Sequence, residues 1–290
     1  MRAVLLVGHG SRDPEGNEEV RQIITQLKSQ LDQSLLIETC FLEFEKPNIN
    51  QGIEACVKKG ATSIYVIPLM LLAAGHSKIH IPASIDEAKE KYPNVRFTYG
   101  RPFGIHEETI EICKSRIEEV GENINEEDSR AAVLLLGRGG SDPDANSDFY
   151  KISRLLWEKL DYKLVEPAFM GVTAPLIKEG VERCIKLEAK KIVILPYFLF
   201  TGILMKRLEA MIVDFERDYP GIEFKLAGYF GFHSRLKTVI KDRIDEALYG
   251  SVRMNCDTCQ YRIAAMEHID HHHHDHDHDH SHDHAQVQKL

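Results

Sequence analysis

The sequence predicts an α/β protein of two tandem homologous halves, each a mostly four-stranded parallel sheet flanked by helices, with a cleft between the halves. Three observations support this fold class. The chain has 290 residues, of which 43% are hydrophobic and 28% are charged, the balance of a globular chain of two-domain length. Short apolar runs alternate with amphipathic stretches of helical length, as in βαβ units. The chain also repeats itself, which constrains architecture more than local propensity does.

The repeat is readable in three segments, in which glycines, prolines and cysteines stay in step. The matching segments are GHGSRDP at 8–14 with GRGGSDP at 137–143, 40–68 with 168–196, and KYPNVRFTYGRPFGIH at 91–106 with DYPGIEFKLAGYFGFH at 218–233. The spacing between the copies falls from 129 to 127 residues, which two single-residue deletions explain. We therefore predict that the body of the protein arose by duplication.

Apolar runs bounded by turn residues predict the strands, and the amphipathic stretches between them predict the helices. In the first half the strands are expected near 2–7, 35–42, 63–69 and 95–99, and the helices near 15–31, 48–59, 78–91 and 106–120. In the second half the strands are expected near 131–136, 163–170, 191–197 and 222–228. The polar segment GENINEEDSR is the expected linker. The predicted divisions of the chain are 1–124, 125–249, an MxCxxC segment at 250–265 and a His/Asp-rich tail at 266–290.

The net charge of −9 is concentrated at one end of the chain. Residues 266–290 carry −5 of it and ten of the fifteen histidines, so the body is nearly balanced. This distribution argues against a nucleic-acid-binding surface. No run approaches the roughly 18 apolar residues of a membrane span, and the N-terminus reaches a glycine-rich loop too early for a signal peptide. Four cysteines lie singly in apolar stretches, so we predict a cytoplasmic protein without a membrane partner.

Ligands of open parallel sheets bind at the carboxyl ends of the strands, so chemistry is expected in the loops there. His9 follows the first strand between two glycines, Glu43 lies at the end of the second strand, and His76 follows the third. Each has an ordinary alternative explanation: a phosphate-binding glycine loop, a solvated carboxylate and a structural histidine. The loop around His9 lacks the lysine and the spacing of a P-loop, however, and GHGSR is not GxGxxG.

The repeat supplies an internal control for these three candidates, because all three are replaced in the second copy while the glycines and prolines around them persist. The replacements, in order, are Arg138, Gly171 and Ile203. A residue that the fold requires should be kept in both copies, so the joint loss predicts one active site, carried by the first half. Two imidazoles and a carboxylate suit a divalent metal such as Fe, Co, Ni or Zn. A hydrolase using metal-bound water and an enzyme that passes the metal on both fit this ligand set.

These motifs resemble those of the sirohydrochlorin chelatases of the class II chelatase group. The resemblance rests on GHGSRDP at the first strand end, FLE at the second, IPLMLLAAGHSKIHIP at the third and the altered second copy with GRGGSDP, and it covers about residues 1–248. The MxCxxC motif and the tail further resemble those of the long-form cobaltochelatases of bacilli. The resemblance implies an enzyme that inserts Co²⁺ into sirohydrochlorin, without ATP, on the oxygen-independent route to cobalamin.

The resemblance also implies roles for individual residues. His9 and His76 become the cobalt ligands, and Glu43 becomes the third metal-site residue or a proton acceptor. The tetrapyrrole substrate carries carboxylates, which need cationic partners near the cleft. Arg138 is the favoured partner because it replaces a ligand. The full set of candidates is Arg138, Lys78, Arg101, Lys206 and Arg207.

Cys256 and Cys259 form a lone CxxC, a spacing used by redox pairs, half zinc sites and cluster ligands. The resemblance favours an iron-sulfur centre, over a zinc half-site or a simple dithiol. A 4Fe-4S cluster needs four ligands, so two cysteines per chain imply ligands shared between protomers, ligands supplied by other groups, or an incomplete assignment. The oligomeric state stays open: a fused pair of halves could work as a monomer, and a shared cluster would require a dimer.

The tail interleaves histidine with aspartate and ends in AQVQKL, which distinguishes it from a purification tag. It cannot bury a core, so we expect disorder in the absence of metal. Its imidazoles and carboxylates should bind Co²⁺, Ni²⁺, Cu²⁺ and Zn²⁺ without selectivity, for storage or for delivery to the cleft. The candidate tail ligands are His271, His272, His273, His274, His276, His278, His280, His282 and His284.

Three other functions remain compatible with the sequence. A sirohydrochlorin ferrochelatase for sirohaem synthesis would use the same loop motifs, although the long tail favours cobalt. A nickel or cobalt storage protein would use the body only to carry the tail. A metal-dependent hydrolase would use the same three ligands.

Overall fold

The computed structural model describes residues 1–124 and 128–250. The predictions for Cys256, Cys259 and the His-rich tail lie outside the described residues. No helix in the described part of the chain is long and apolar enough to cross a membrane.

The first half is a parallel sheet of four strands in the order β2-β1-β3-β4. Its elements are β1 (Arg2–Gly8), α1 (Pro14–Lys28), β2 (Leu36–Phe41), α2 (Ile49–Lys58), β3 (Ser63–Leu69), a π-helical turn (His76–His80), α3 (Ile81–Lys91), β4 (Arg96–Tyr99) and α4 (Glu107–Glu119). Strand β1 pairs with β3 from Arg2↔Ser63 to Gly8↔Leu69. Every predicted strand and helix of this half is present.

The second half repeats this topology, with the strand order β6-β5-β7-β8. Its elements are β5 (Asp128–Gly137), α5 (Pro143–Trp157), β6 (Tyr162–Phe169), α6 (Ile177–Lys186), β7 (Lys191–Pro196), α7 (Ile203–Asp218), β8 (Glu223–Leu226) and α8 (Ser234–Tyr249). The predicted α/β class, with two homologous four-stranded parallel sheets flanked by helices, is confirmed.

The central strands are apolar throughout because helices cover both faces of each sheet. All side chains from Ala3 to Val7 are inaccessible to solvent, and so are those from Ala132 to Leu136. The helix that follows each central strand begins in the same way. Asp13 and Asp142 accept hydrogen bonds from the first turns of α1 and α5, and a proline occupies the first helical position in both. The repeated SRDP and GSDP motifs therefore build equivalent helix starts.

The two halves share a hydrophobic core, because each contributes its last helix to the other. Helix α4 packs on α5 and β7 of the second half, and α8 packs on β3 and α4 of the first. One continuous cluster of buried side chains contains residues of both halves, and each half has a second, outer cluster of its own.

Two arginines at equivalent positions secure this helix exchange. Arg116 on α4 donates to the carbonyl oxygen of Phe230 in the second half, at 2.8 Å. Arg243 on α8 donates to the carbonyl oxygens of Pro102, at 3.1 Å, and Phe103 in the first half. The repeated RPFGIH and GYFGFH segments therefore each receive the helix of the other copy, and the halves form one structural unit.

The halves differ at the start of their third helix. A regular helix was expected from residue 78, but the chain first makes a π-helical turn over His76–His80 and then continues as α3. Its counterpart α7 begins directly at Ile203 as an α-helix. Short π-helical segments occur frequently at functional sites, and this one carries a predicted metal ligand.

Candidate metal centre

The structure brings the three predicted ligands together at the carboxyl end of the first sheet. His9 follows β1, Glu43 follows β2, and His76 opens the π-helical turn after β3. One ligand atom of each lies within 4.8 Å of the others, and this trio is the one group of His, Cys, Asp and Glu so placed in residues 1–124 and 128–250. The rings of His9 and His76 meet edge to face at 4.8 Å, and Nδ1 of His9 lies 3.5 Å from Oε1 of Glu43.

The loops that carry His9 and Glu43 are held against each other by backbone contacts. The amide of Glu43 donates to the carbonyl oxygen of His9 at 3.1 Å, and the amide of Leu42 donates to that of Gly8 at 2.9 Å. Gly10 has a φ of +87°, and a Cβ there would lie 1.7 Å from the carbonyl oxygen of Glu43. Only glycine therefore allows the two loops to approach this closely.

Buried polar side chains fix the loops from behind. The Asn17 amide accepts from the backbone N–H of Ser11 and donates to the Ser11 carbonyl, both at 2.8 Å. The buried Ser77 hydroxyl bonds to the backbone of Ala74, and the Tyr99 hydroxyl donates to the Ser77 carbonyl at 2.7 Å. These contacts orient the turns that carry His9 and His76 without help from a ligand side chain.

Both histidines are set to be neutral. Arg138 Nη1 lies 3.0 Å from Nε2 of His9, and because arginine only donates, this nitrogen must accept. The proton then belongs on Nδ1, which lies 3.0 Å from the carbonyl oxygen of Gly10. Burial, with a further contribution from Arg138, lowers the pKa of His9 although Gly10 and Glu43 oppose it. Burial and the neighbouring His9 lower the pKa of His76.

His76 also keeps an unused nitrogen. Its Nδ1 is buried and has no hydrogen-bond partner among the described residues. Buried polar atoms are nearly always paired, so an unpaired imidazole nitrogen beside a second imidazole and a carboxylate is a strong indication of a metal ligand.

A cavity of about 510 Å³ opens beside the trio, between the two halves. His9 and His76 line it, together with the glycine loops after β1 and β5. Most of the remaining wall is apolar and comes from both halves. Prominent members are Leu71, Leu72, Phe149, Phe198 and Phe200. Its size and apolar walls suit a flat organic ligand rather than an ion alone.

The family model of CbiX matches this chain twice, at residues 3–120 and 132–247. The chain belongs to the CbiX family. The double match agrees with the duplication inferred from the repeat.

Known members of the family are similar along most of this CbiX chain. A Priestia megaterium protein named sirohydrochlorin cobaltochelatase is 67% identical over 272 residues, which cover 94% of this chain and 88% of the relative. A sirohydrochlorin ferrochelatase of the same organism is 39% identical over 248 residues, or 86% of this chain and 91% of the relative. The solved sirohydrochlorin chelatase SirB from Bacillus subtilis subspecies spizizenii, in complex with cobalt, has 35% identity and a TM-score of 0.72, covering 85% of this chain and 94% of that one.

The five cations nominated in this CbiX sequence occupy different positions. Arg138 lies in the cavity wall against His9. Arg101 makes a two-pronged ion pair with Glu246 on α8. Arg207 is exposed on α7, outside the cavity wall.

The two nominated lysines form ion pairs between the halves, away from the cavity wall. Lys78 contacts Asp142 at 2.8 Å, and Lys206 contacts Asp13 at 2.6 Å. Asp142 and Asp13 are the helix-capping aspartates of the opposite halves, so each lysine joins its own half to the other.

Sequence reasoning did not nominate Arg12, which lines the cavity three residues after His9. The repeat comparison contained an indication of it, because Arg12 aligns with Ser141 in the second copy. Like His9, Glu43 and His76, it is present in one half alone.

Proposed function

We propose that this CbiX protein is a sirohydrochlorin cobaltochelatase, which inserts Co²⁺ into sirohydrochlorin without ATP on the oxygen-independent route to cobalamin. The observation that carries the proposal is the convergence of His9, Glu43 and His76 within 4.8 Å, with both histidines in the wall of the inter-half cavity. The relative that is named a cobaltochelatase is also far more similar than the one named a ferrochelatase, at 67% against 39% identity.

In this proposal the trio holds the metal before its transfer. Metal bonds to imidazole or carboxylate measure about 2.1 Å, so ligand atoms around one ion lie at most about 4.2 Å apart. The three residues offer ligand atoms that all lie within 4.8 Å of one another, close to that limit.

The exchange of cobalt for protons must balance. Sirohydrochlorin loses two N–H protons as four ring nitrogens take the divalent ion, so the site must accept two positive charges in exchange for one Co²⁺. Glu43 and the neutral imidazoles are the bases within reach, and they become available as the metal leaves them. Arg138 must leave Nε2 of His9 when the metal binds there, and we infer that it then faces a substrate carboxylate. Lys78, Lys206 and Arg101 would first have to break their ion pairs to do the same.

The test is an absorbance assay of the purified protein with sirohydrochlorin and Co²⁺. The wild type should show a metal-dependent spectral change, and His9→Ala, His76→Ala and Glu43→Gln should each slow it at least about 100-fold. His80→Ala is the matched control, since this exposed histidine lies on the same turn, with its ring 5.1 Å from that of His76, but outside the cavity wall. A wild type without any spectral change would refute the chelatase proposal.

Iron is the second candidate metal, because a ferrochelatase matches 86% of the chain. Initial rates with Co²⁺ and Fe²⁺, measured separately and in competition under anaerobic conditions, distinguish the two. We expect cobalt to be the better substrate at equal concentration. A higher specificity constant for iron would assign the enzyme to sirohaem synthesis.

We also propose an iron-sulfur centre at Cys256 and Cys259, on the basis of the motif and its resemblance alone. Anaerobically purified protein should then contain iron and sulfide and should absorb visible light as iron-sulfur clusters do. Cys256→Ala should remove the iron, the sulfide and this absorbance. If the two cysteines bind one zinc ion or none, the cluster proposal is wrong. A cluster shared between protomers would also make the wild type a dimer and Cys256→Ala a monomer in solution.

For the tail we propose a role in metal supply. Deleting 266–290 should leave turnover in excess Co²⁺ within about twofold of the wild type and reduce it when Co²⁺ is scarce. Equal loss under both conditions would contradict delivery.

We further propose that the enzyme is cytoplasmic, that it has no nucleic-acid partner, and that the homologous halves divide between residues 124 and 125.

A further inference from the structure

Arg12 is a cation of the cavity wall that the chain itself does not neutralise. It is exposed, it lines the cavity, and it forms no ion pair with the part of the chain that the structure describes. The cations around it are engaged: Lys206 binds Asp13, and Arg138 binds His9. Arg12 therefore offers an uncompensated guanidinium to whatever enters the cavity.

The side chain is held in place by an aromatic ring. Its guanidinium carbon lies 4.8 Å from the ring centre of Phe44, the residue directly after Glu43. Stacking uses the flat face of the guanidinium and leaves the N–H donors at its edge for a ligand. Phe44 is 54% exposed and also lines the cavity, so the pair is not part of the hydrophobic core.

The second half shows that the fold does not need this pair. Ser141 stands at the position of Arg12, and Val172 stands at that of Phe44. The backbone takes the same left-handed conformation at this position in both copies, with φ values of 61° for Phe44 and 69° for Val172. This conformation therefore belongs to the fold, whereas the arginine and the aromatic ring at these two positions are present in the half that carries the candidate metal ligands and are replaced in the other.

We propose that Arg12, stacked on Phe44, is a carboxylate-binding subsite that receives one acidic side chain of the tetrapyrrole. Sirohydrochlorin carries acetate and propionate groups around its ring, and a planar guanidinium pairs with a carboxylate through two parallel hydrogen bonds. Because Arg12 lies on the loop of His9 and Phe44 adjoins Glu43, an anchored carboxylate sets the macrocycle in register with the metal ligands. This inference rests on the proposed function and adds the residue that orients its substrate.

The test measures both tetrapyrrole binding and turnover in the full-length protein. Arg12→Gln should raise the KM for sirohydrochlorin about tenfold or more with kcat within about threefold of the wild type, the loss expected for one charge-assisted contact. Phe44→Leu removes the stacking ring and should raise KM severalfold. Arg12→Lys keeps the charge without the planar fork and should fall between the wild type and Arg12→Gln.

The matched control is Arg154→Gln. Arg154 also stacks on an aromatic ring, with its guanidinium carbon 5.2 Å from the ring centre of Trp157, but it is exposed, pairs with Glu158 and lies outside the cavity wall. This variant should leave KM unchanged. Thermal unfolding of all the variants should match the wild type, because the substituted side chains are exposed.

A methyl-ester derivative of the substrate separates charge recognition from packing. If Arg12 binds the carboxylate, the wild type and Arg12→Gln should bind the ester with equal affinity. Binding is followed, without metal, by the shift of the main absorbance band of the tetrapyrrole. An unchanged KM in Arg12→Gln, a loss confined to kcat, or an equal effect on acid and ester would each overturn the subsite. Absence of metal insertion by the wild type would instead refute the proposed function, and the metal-free binding measurement would still decide the role of Arg12.

Discussion

Replacement of Gly10 by alanine tests whether loop contact builds the metal site. The added Cβ would lie 1.7 Å from the carbonyl oxygen of Glu43, and real contacts do not fall under 3.0 Å, so the two loops must separate by more than an ångström. That displacement would carry the Glu43 carboxylate away from the His9 ring, whose Nδ1 now lies 3.5 Å from Oε1, and out of reach of an ion bound at Nε2 of His9, since two ligands of one ion lie at most about 4.2 Å apart. The alanine would also hold a left-handed φ of +87°, so we expect a loss of about 3 kcal/mol in the free energy of unfolding.

The assay compares this variant with the same change in the other half. Gly139 has a φ of +85°, and a Cβ there would lie 2.0 Å from the carbonyl oxygen of Gly171. Gly139→Ala therefore imposes similar strain in the half that lacks the three candidate metal-ligating residues. Both variants should lose similar stability in urea unfolding. Gly10→Ala should lower kcat/KM for cobalt insertion at least about 100-fold, and Gly139→Ala should lower it by less than about tenfold. Turnover by Gly10→Ala within threefold of the wild type would refute the dependence of the site on this loop contact.

Three further predictions concern the contacts that join the halves. Burial raises the pKa of Glu122, but hydrogen bonds from Lys225 and Lys191 outweigh it and hold that pKa below its ordinary value of 4.5. The contribution of these contacts to the free energy of unfolding is therefore fully present above pH 4.5 and is lost as the pH falls through the lowered pKa. Glu122→Gln should cost about 3 kcal/mol in urea unfolding at pH 7, and its difference from the wild type should shrink towards pH 3; a constant difference would contradict the linkage. Arg243→Ala should cost about 3–5 kcal/mol, because Arg243 is 2% exposed and its loss leaves the carbonyl oxygens of Pro102 and Phe103 without its hydrogen bonds in the core. Arg116→Ala, at the equivalent but more exposed position, should cost less in the same measurement, and the reverse order would contradict the burial argument.

The fold could be predicted from the sequence because its main determinants are local. Apolar runs such as 3–7 specify strands buried on both faces, and the repeat confirms each element by a second instance. The exchange of α4 and α8 could not be predicted in this way. Amphipathic helices of this kind pack equally well on their own sheet or on a homologous one, and contacts such as that of Arg243 with Phe103 join residues far apart in sequence.

The residues of the candidate site likewise include some that the sequence predicts and others that depend on how the halves pack. His9, Glu43 and His76 could be predicted because the repeat shows which loop residues the fold can lose. The same comparison would have nominated Arg12 against Ser141, had it been applied to cations as well as to ligands. The ion pairs of Lys78 and Lys206 could not be predicted, because they depend on how the halves face each other across the cleft.

The contact between His9 and Arg138 bears on the difference between the two copies. The two residues are equivalent in the repeat, yet their side chains meet at 3.0 Å, so the approximate twofold axis that relates the halves passes between them. A symmetric pair with histidine at both positions would bring two ligand sets together on this axis, where they would compete for one ion above one macrocycle. Replacing the second histidine with arginine removes that competition and places a positive charge opposite the first. Together with burial, that charge lowers the pKa of His9 and so favours the neutral imidazole that the proposed metal site requires, and Arg138 lies in the wall of the cavity proposed for the acidic substrate. Duplication within one chain made this division possible, because in a homodimer both positions would have to carry the same residue.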